Sequence, residues 1–451
     1  MEQPPALNCV TFNTSFTTES GMSDYLWAVS SGGAIFQGIN SSQTDILWNA
    51  TGAQWVNVSY TNSFGCRTLT PTKLDVTINS LPLTSITPAS GPDCDDKLHG
   101  YSVPSDPVCT YAWSVQPPAF GQIASGQGSN AIAVLWNLPG SSMINLLATN
   151  NINGCYASSA INRTVYPSPE PTLAACFDTY TIPGGNRIIL HGAAPFLSGQ
   201  GTYSGQYVAL NTGTGYFEFD PSIASTGNYA VGYEYTNIYG CTSTAGPVII
   251  QVVPRNFTCG TDFSDPRDGQ VYTTALIGGK CWMTRNLNYG QELGWLQPPT
   301  DNCVDEKTCH PADQGCTLYG GFYAWNELMR YDRTYMNQGL CPSGWRIPSA
   351  QEWDAMLYSL ATGVNPPDGI AGSFLKDLNL NSGLHLLMPG LFYLVHSWQY
   401  TTGDLTGGMY WTSTIDGSDR AVARGVNSLN PSNSKYSGNR ENSFLVRCVK
   451  Q

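Results

Sequence analysis

Three segments decide the fold of the first half of the chain: Tyr60-Thr61-Asn62-Ser63-Phe64-Gly65-Cys66, Ala148-Thr149-Asn150-Asn151-Ile152-Asn153-Gly154-Cys155 and Tyr235-Thr236-Asn237-Ile238-Tyr239-Gly240-Cys241. They end alike, and their cysteines stand 89 and 86 residues apart. A second series, Cys9, Cys94 and Cys176, is spaced by 85 and 82 residues and marches with the first. The first two units also share Tyr25-Leu26-Trp27 with Tyr111-Ala112-Trp113, and Ile46-Leu47-Trp48 with Val134-Leu135-Trp136. A self-similar period of this kind means repeated modules. Pro clusters at Leu81-Pro82, Tyr166–Pro171 and Val253-Pro254 divide the repeats into 1–81, 82–167 and 168–254, with 255–451 as a fourth region.

Alternation gives the modules their architecture. Val56-Asn57-Val58-Ser59-Tyr60 and Leu74-Asp75-Val76-Thr77-Ile78 are apolar at every second place, as half-buried strands are. Short strands with Gly-rich turns in units of this length fit an immunoglobulin-like β-sandwich. An early Cys, a Trp and a late Cys suit a bridge between sheets packed on an indole. The expected pairs are therefore Cys9–Cys66, Cys94–Cys155 and, by position, Cys176–Cys241. Each would contribute about 2–4 kcal/mol by closing a long loop. The third unit lacks Trp and carries Tyr203, Tyr207, Phe217 and Tyr229 instead. Linkers this short imply a semi-rigid stalk, roughly 100–130 Å for three sandwiches.

Composition agrees and excludes other classes. Of 451 residues 12% are charged and 12% aromatic, so neither a disordered chain nor a coiled coil is expected. The net charge is −12 with only 20 basic residues and no basic cluster, which disfavours nucleic-acid binding. Fourteen Cys in a β-rich chain point to disulfides and an oxidising compartment. No run of 18 apolar residues suggests a transmembrane segment.

The C-terminal region reads as α+β. Pro348-Ser349-Ala350-Gln351-Glu352 is a capping box ahead of Trp353, Met356 and Leu357, so a helix is expected over 349–361. Further helices are expected over 321–330 and 369–378. Strands are expected over 270–277, 384–388, 408–413, 419–426 and 443–450. Five separated blocks carry a resemblance: Asp265–Tyr272, Ile277–Leu287, Cys341–Ser349, Tyr410–Thr414 and Val446–Lys450. In this order they resemble the Fibrobacter succinogenes major paralogous domain, a family related to the C-type-lectin-like fold. The first two repeats resemble PKD-like repeats, and the third Ig-like repeats, of Bacteroidota surface proteins. The resemblance implies a secreted or outer-surface bacterial protein whose Ig-like stalk presents a lectin-like tip to a glycan or protein ligand. Cys259–Cys281 and Cys341–Cys448 are expected to pair, leaving Cys109, Cys303, Cys309 and Cys316 unassigned.

The chemistry-bearing residues give no catalytic pattern. None of the five His lies in HExxH or HxH spacing, and no GxSxG occurs. No enzyme activity is expected; the less favoured alternatives are a fibre-tip subunit docking to another surface protein and an oxidase of the formylglycine-generating type. The expected ligand surface is 396–440, where Trp398, Tyr400, Trp411 and Tyr436 interleave with Arg420, Arg424, Asn427, Asn430, Asn433 and Arg440. Aromatic faces stack on sugars or side chains, and Arg and Asn supply directional hydrogen bonds. No cofactor is expected beyond a structural calcium, for which Asp301, Asp305, Glu306 and Asp313 offer hard oxygens. The Glu-Pro-Asn or Gln-Pro-Asp triplet of calcium-dependent lectins is missing. Cys303, Cys309 and Cys316 around His310 match no standard zinc spacing and read as a disulfide-pinned loop.

Overall fold

The computed structural model describes residues 8–195, 201–294, 297–311, 313–331, 338–360, 391–393, 400–402, 407–427 and 433–451. The chain divides into two compact units, Met1–Pro169 with Thr236–Ser243, and Glu170–Tyr235 with Thr244–Gln451.

The first unit holds two immunoglobulin-like sandwiches. In the first, Gln43–Trp48 is the middle strand between Asn13–Thr17 and Gly33–Gln37, and Gly52–Thr61 the middle strand between Ser23–Val29 and Thr72–Ile78. The second repeats this plan, with Ala131–Trp136 between Gly121–Ser125 and Leu98–Ser102 and Gly140–Asn150 between Cys109–Gln116 and Tyr156–Tyr166, and adds a two-residue edge strand to each sheet. Along Cys109–Gln116 every second side chain is buried, so the two-residue period seals one face. The paired tryptophans occupy matching sockets. Trp27 Nε1 donates to Ser41 O at 2.8 Å, and Trp113 Nε1 to Ser129 O at 2.9 Å. Trp48 and Trp136, both fully buried, each press on a glycine. A Cβ on Gly33 would lie 2.8 Å from the Trp48 ring, and one on Gly121 2.6 Å from that of Trp136.

The bridges are not the expected ones. Cys9 is bonded to Cys155 and Cys94 to Cys241, while Cys66 and Cys109 are free thiols. The reason is the length of the last strand. Cys94 lies beside Tyr166, at the far end of Tyr156–Tyr166, while Cys155 immediately precedes that strand. Ten steps of about 3.3 Å separate the two ends by roughly 33 Å. A disulfide needs Cα atoms within about 4.4–6.8 Å. The early and late cysteines of one sandwich therefore sit at opposite ends of it and cannot meet. Cys9 and Cys94 instead each reach the late cysteine of the following repeat.

The second unit holds the third sandwich and the C-terminal domain. In the third sandwich Tyr180–Thr181, Thr242–Val252, Gly227–Thr236 and Gly201–Ser204 form one sheet, and Ile188–Ile189, Tyr216–Phe219 and Val208–Asn211 the other. Its core replaces Trp with Tyr203, Tyr229, Tyr233 and Tyr235 around Phe219. The hydroxyls find partners at the rim: Tyr203 accepts from Ala193 N–H at 3.1 Å and Tyr233 donates to Pro195 O at 2.8 Å. Cys176 is bonded not to Cys241 but to Cys303, which ties this sandwich to the C-terminal domain.

The C-terminal domain is α+β. Helix Ala350–Leu360 starts on the reciprocal capping box: Glu352 N–H donates to Ser349 Oγ at 3.2 Å and Ser349 N–H to the Glu352 carboxylate at 2.9 Å. It buries Trp353, Met356 and Leu357 against Trp282 and Tyr410. The expected helix over 321–330 is only one turn, Trp325–Leu328. Ala324 provides no side-chain cap, and Arg330 and Tyr331 adopt φ of 51° and 54°, which ends it. The strands Gly407–Ile415, Arg420–Asn427 and Asn433–Asn439 form one antiparallel sheet. Thr274–Ile277, Lys280–Met283, Val449–Lys450 and Trp345–Arg346 form another. Here Cys259 bonds Cys281, Cys309 bonds Cys316 and Cys341 bonds Cys448. The expected elements over 369–378 and 384–388 lie outside the described residues.

Candidate functional site

Of the residues expected to face a ligand, Trp411, Arg424 and Arg440 are interior. Trp411 is fully buried, packs tilted against Phe444 with ring centroids 4.4 Å apart and donates its Nε1–H to Tyr323 O at 2.9 Å. Arg424 is buried and ion-paired with Asp354. Arg440 is buried over the Trp325 ring at 4.7 Å and donates to Gly417 O at 2.9 Å. The cause is the position of Gly407–Ile415. Its alternate residues Tyr410 and Trp411 enter two different hydrophobic clusters, so the strand is covered on both faces. Polar residues on its neighbour are then buried and must be paired. Among the members of the expected set whose side chains are described, Arg420 and Tyr436 are exposed. Arg420 Nε donates to Ser437 Oγ at 2.9 Å. Tyr400, Asn427 and Asn433 lie on strands, opposite Tyr393, Gly407 and Val426. Trp398 and Asn430 lie outside the described residues.

The acidic loop spends its carboxylates on protein partners. Glu306 is buried and accepts from Thr300 N–H and Asn302 Nδ2, both at 2.9 Å. Asp305 pairs with Arg330 at 2.8 Å. Asp313 accepts from the N–H groups of Leu318 and Tyr319 and from Thr317 Oγ1. Asp301 is exposed. Among the described residues, no three His, Cys, Asp or Glu side chains come together as a metal group. All seven cysteines of this half are bonded.

What the sequence reading missed is the junction of the third sandwich with the C-terminal domain. Arg330 bridges them, 2.7 Å from Asp178 and 2.8 Å from Asp305. Gln338 donates to Asp178 at 2.9 Å, and Thr181 Oγ1 lies 3.0 Å from Ser343 Oγ. Glu327, on the single helical turn, accepts from Glu306 N–H at 2.8 Å. Burial, with the charges of Asp305 and Glu306 added, pushes its carboxyl up to about 7. Beside these contacts opens a cleft of about 370 Å³, lined by Thr181, Ile182, Arg255, Phe257, Phe263 and Lys450 among others. Lys450 Nζ lies over Phe257 at 4.7 Å and over Trp345 at 5.4 Å. Phe257, Phe263 and Trp345 pack edge-on or tilted within 5.7 Å of one another. Burial lowers the Lys450 ammonium, with Arg255 adding to it. An aromatic wall with two cations on its rim can stack a planar or sugar ring and hold an acidic group. The Val253-Pro254 boundary was the one signal pointing here; the pairing of the two walls was not readable.

Residues 276–450 match the Fibrobacter succinogenes major domain. The match covers the sheet of Gly407–Ile415, the capped helix and the Cys341–Cys448 bridge. No curated protein matches the chain. Among solved structures, the chain is similar to the D00-D0 domain of intimin at 9% identity, covering 35% of this chain and 95% of that one, with a TM-score of 0.19. It is similar to the chicken CNTN1 FN1-FN3 domains at 9% identity, covering 55% and 96%, with a TM-score of 0.24. The N-terminal eight Ig domains of Down syndrome cell adhesion molecule share 10% identity over 55% of this chain and 35% of that one, with a TM-score of 0.24. Scores this low carry no argument. Six disulfides fit an extracellular setting, and no described helix is long and apolar enough to cross a membrane.

Proposed function

We propose that the chain is an extracellular recognition or adhesion protein of a bacterial surface, in which cross-linked β-sandwiches carry a ligand-binding C-terminal domain. One observation supports this above the others. Each early cysteine is spent on the next module: Cys9 on Cys155, Cys94 on Cys241 and Cys176 on Cys303. Such covalent staples suit a stalk that must keep its modules in register outside the cell. The ligand, a glycan or a surface protein, is assigned to the cleft of Arg255, Phe257, Phe263 and Lys450, with the exposed Arg420 and Tyr436 as a second contact patch. The C-type-lectin-like relation belongs to this proposal, and calcium enters it only as a structural ion.

The test is binding of the full chain to a glycan array and to immobilised surface proteins, with and without a calcium chelator. A Phe263→Ala/Lys450→Ala variant should lose at least tenfold in apparent affinity. An unchanged affinity would move the site to Arg420 and Tyr436, and no glycan or surface protein retained under any condition would refute the proposal. Retention by one protein subunit, with no glycan bound, supports the fibre-tip reading instead.

A further inference from the structure

The loop 62–66 is built like two loops that are each occupied by another module. In Asn62–Cys66 the Asn62 N–H donates to Cys66 O at 2.9 Å, Gly65 N–H donates to Asn62 O at 2.9 Å, and Asn62 Oδ1 accepts from Phe64 N–H and Cys66 N–H. Asn237–Cys241 has the same four bonds, through Gly240, Tyr239 and Cys241. Asn150–Cys155, one residue longer, keeps the bonds Asn150 N–H to Cys155 O and Gly154 N–H to Asn150 O, both 2.8 Å. The glycine before each cysteine has positive φ, 74° at Gly65, 75° at Gly154 and 85° at Gly240, which only glycine adopts without strain.

Both sister loops are docked. Cys155 and Cys241 are at most 1% exposed and bonded to the early cysteines Cys9 and Cys94. Each junction adds an aromatic pair: Phe12 edge-on to Tyr156 at 5.0 Å, and Tyr166 stacked on Tyr239 at 4.7 Å. Asn237 Nδ2 also donates to Pro167 O at 2.7 Å. In the first repeat the same equipment faces outward. Cys66 is an exposed free thiol, and Phe64, at the place of Tyr239, is 88% exposed.

We infer that residues 62–66 are a docking socket for another sandwich module of this repeat type, and that Cys66 forms a disulfide with that module's early cysteine. The partner stands where the preceding repeat stands at the other two junctions, and its last-strand aromatic covers Phe64. A second copy of this chain does not qualify, because Cys9, Cys94 and Cys176 are already bonded in it. The bond forms by exchange. Counted as two thiols, Cys66 and the partner's cysteine give up two electrons and two protons to a disulfide oxidant such as oxidised glutathione, whose S–S bond breaks and which leaves as two thiols.

The inference goes beyond the proposed ligand site and does not depend on it. It is tested by placing a copy of residues 1–81 directly ahead of the full chain and oxidising with a glutathione buffer. Peptide mapping without reduction should show the added copy's early cysteine joined to Cys66, with the exposed-thiol count of the original module falling to zero. A Cys66→Ser variant should leave the added cysteine titratable. A second fusion, with residues 82–167 as the added module, guards against a misfolded copy. Cys66 alkylated in both fusions while the bridges to Cys155, Cys241 and Cys303 are intact would overturn the inference, as would a Cys66–Cys66 dimer.

Discussion

Replacing Glu327 by Gln should alter how stability depends on pH, and in one direction only. Glu327 is 3% exposed and shares its surroundings with the carboxylates of Asp305 and Glu306, whose own cation, Arg330, is already held by Asp178 and Asp305. Its carboxyl is raised from 4.5 to about 7 in the folded chain. Between these values the folded state holds a proton that the unfolded state has released, so stability falls as pH rises. The contribution is fully present below pH 4.5 and is lost as pH passes about 7. A shift from 4.5 to about 7 corresponds to about 3 kcal/mol at 1.36 kcal/mol per unit. Urea unfolding, followed by tryptophan fluorescence between pH 5 and 8, measures it. The unmodified chain should lose most of that energy across the range, while Glu327→Gln should show a slope flatter by about 2–3 kcal/mol. Gln keeps the acceptor for Glu306 N–H, so the two proteins should be of similar stability at pH 5. Parallel slopes would refute the reasoning and mean that Glu327 is ionised, or solvated, throughout.

Three other outcomes follow from single contacts. Asp93 is fully buried and accepts from Tyr101 Oη and Arg163 Nε, both at 2.5 Å; Asp93→Ala should cost about 3–5 kcal/mol in the second sandwich by calorimetry, and Asp93→Asn less. Gly121→Ala would place a methyl 2.6 Å from the Trp136 ring and should cost about 1–3 kcal/mol in the same transition, with no effect on disulfide mapping. Thiol titration of the oxidised chain should count one reactive cysteine, Cys66, in the native state, and a second, Cys109, only in denaturant, because burial shields that thiol and pushes it up.

The repeat was legible because it rests on local rules. Alternation placed Val56, Val58, Val76 and Ile78 on the core face, and the Trp–Trp spacing identified paired sockets that the structure fills in the same way twice. The capping box at Ser349 and Glu352 was likewise readable, since both partners lie within one turn. The one-turn helix at Trp325–Leu328 was not, because apolar spacing at Phe322, Trp325, Leu328 and Met329 is satisfied equally by a buried strand end followed by a turn. At the expected ligand face, Trp411, Arg424 and Arg440 are interior for a related reason. Interleaved aromatic and polar residues look amphipathic, but Tyr410 and Trp411 of Gly407–Ile415 enter separate hydrophobic clusters, and Arg424 and Arg440 are buried because Asp354 and backbone carbonyls receive them.

The cysteines show where equivalence and contact part company. Periodicity says which residues are equivalent, and Cys9 with Cys94, and Cys155 with Cys241, do hold equivalent positions. It does not say which member of one series touches which member of the other. That depends on where each position lies along the strands, and the early cysteine is fixed next to the last residues of its sandwich's final strand, as Cys9 is next to Asn79 and Cys94 next to Tyr166. The late cysteine ends the turn that begins that strand, as Cys155 does before Tyr156. Two positions separated by a whole strand can pair only across a module boundary. A repeat with its cysteines so placed cannot close its own bridge, and its late cysteine is left for the early cysteine of another module, as Cys155 and Cys241 are.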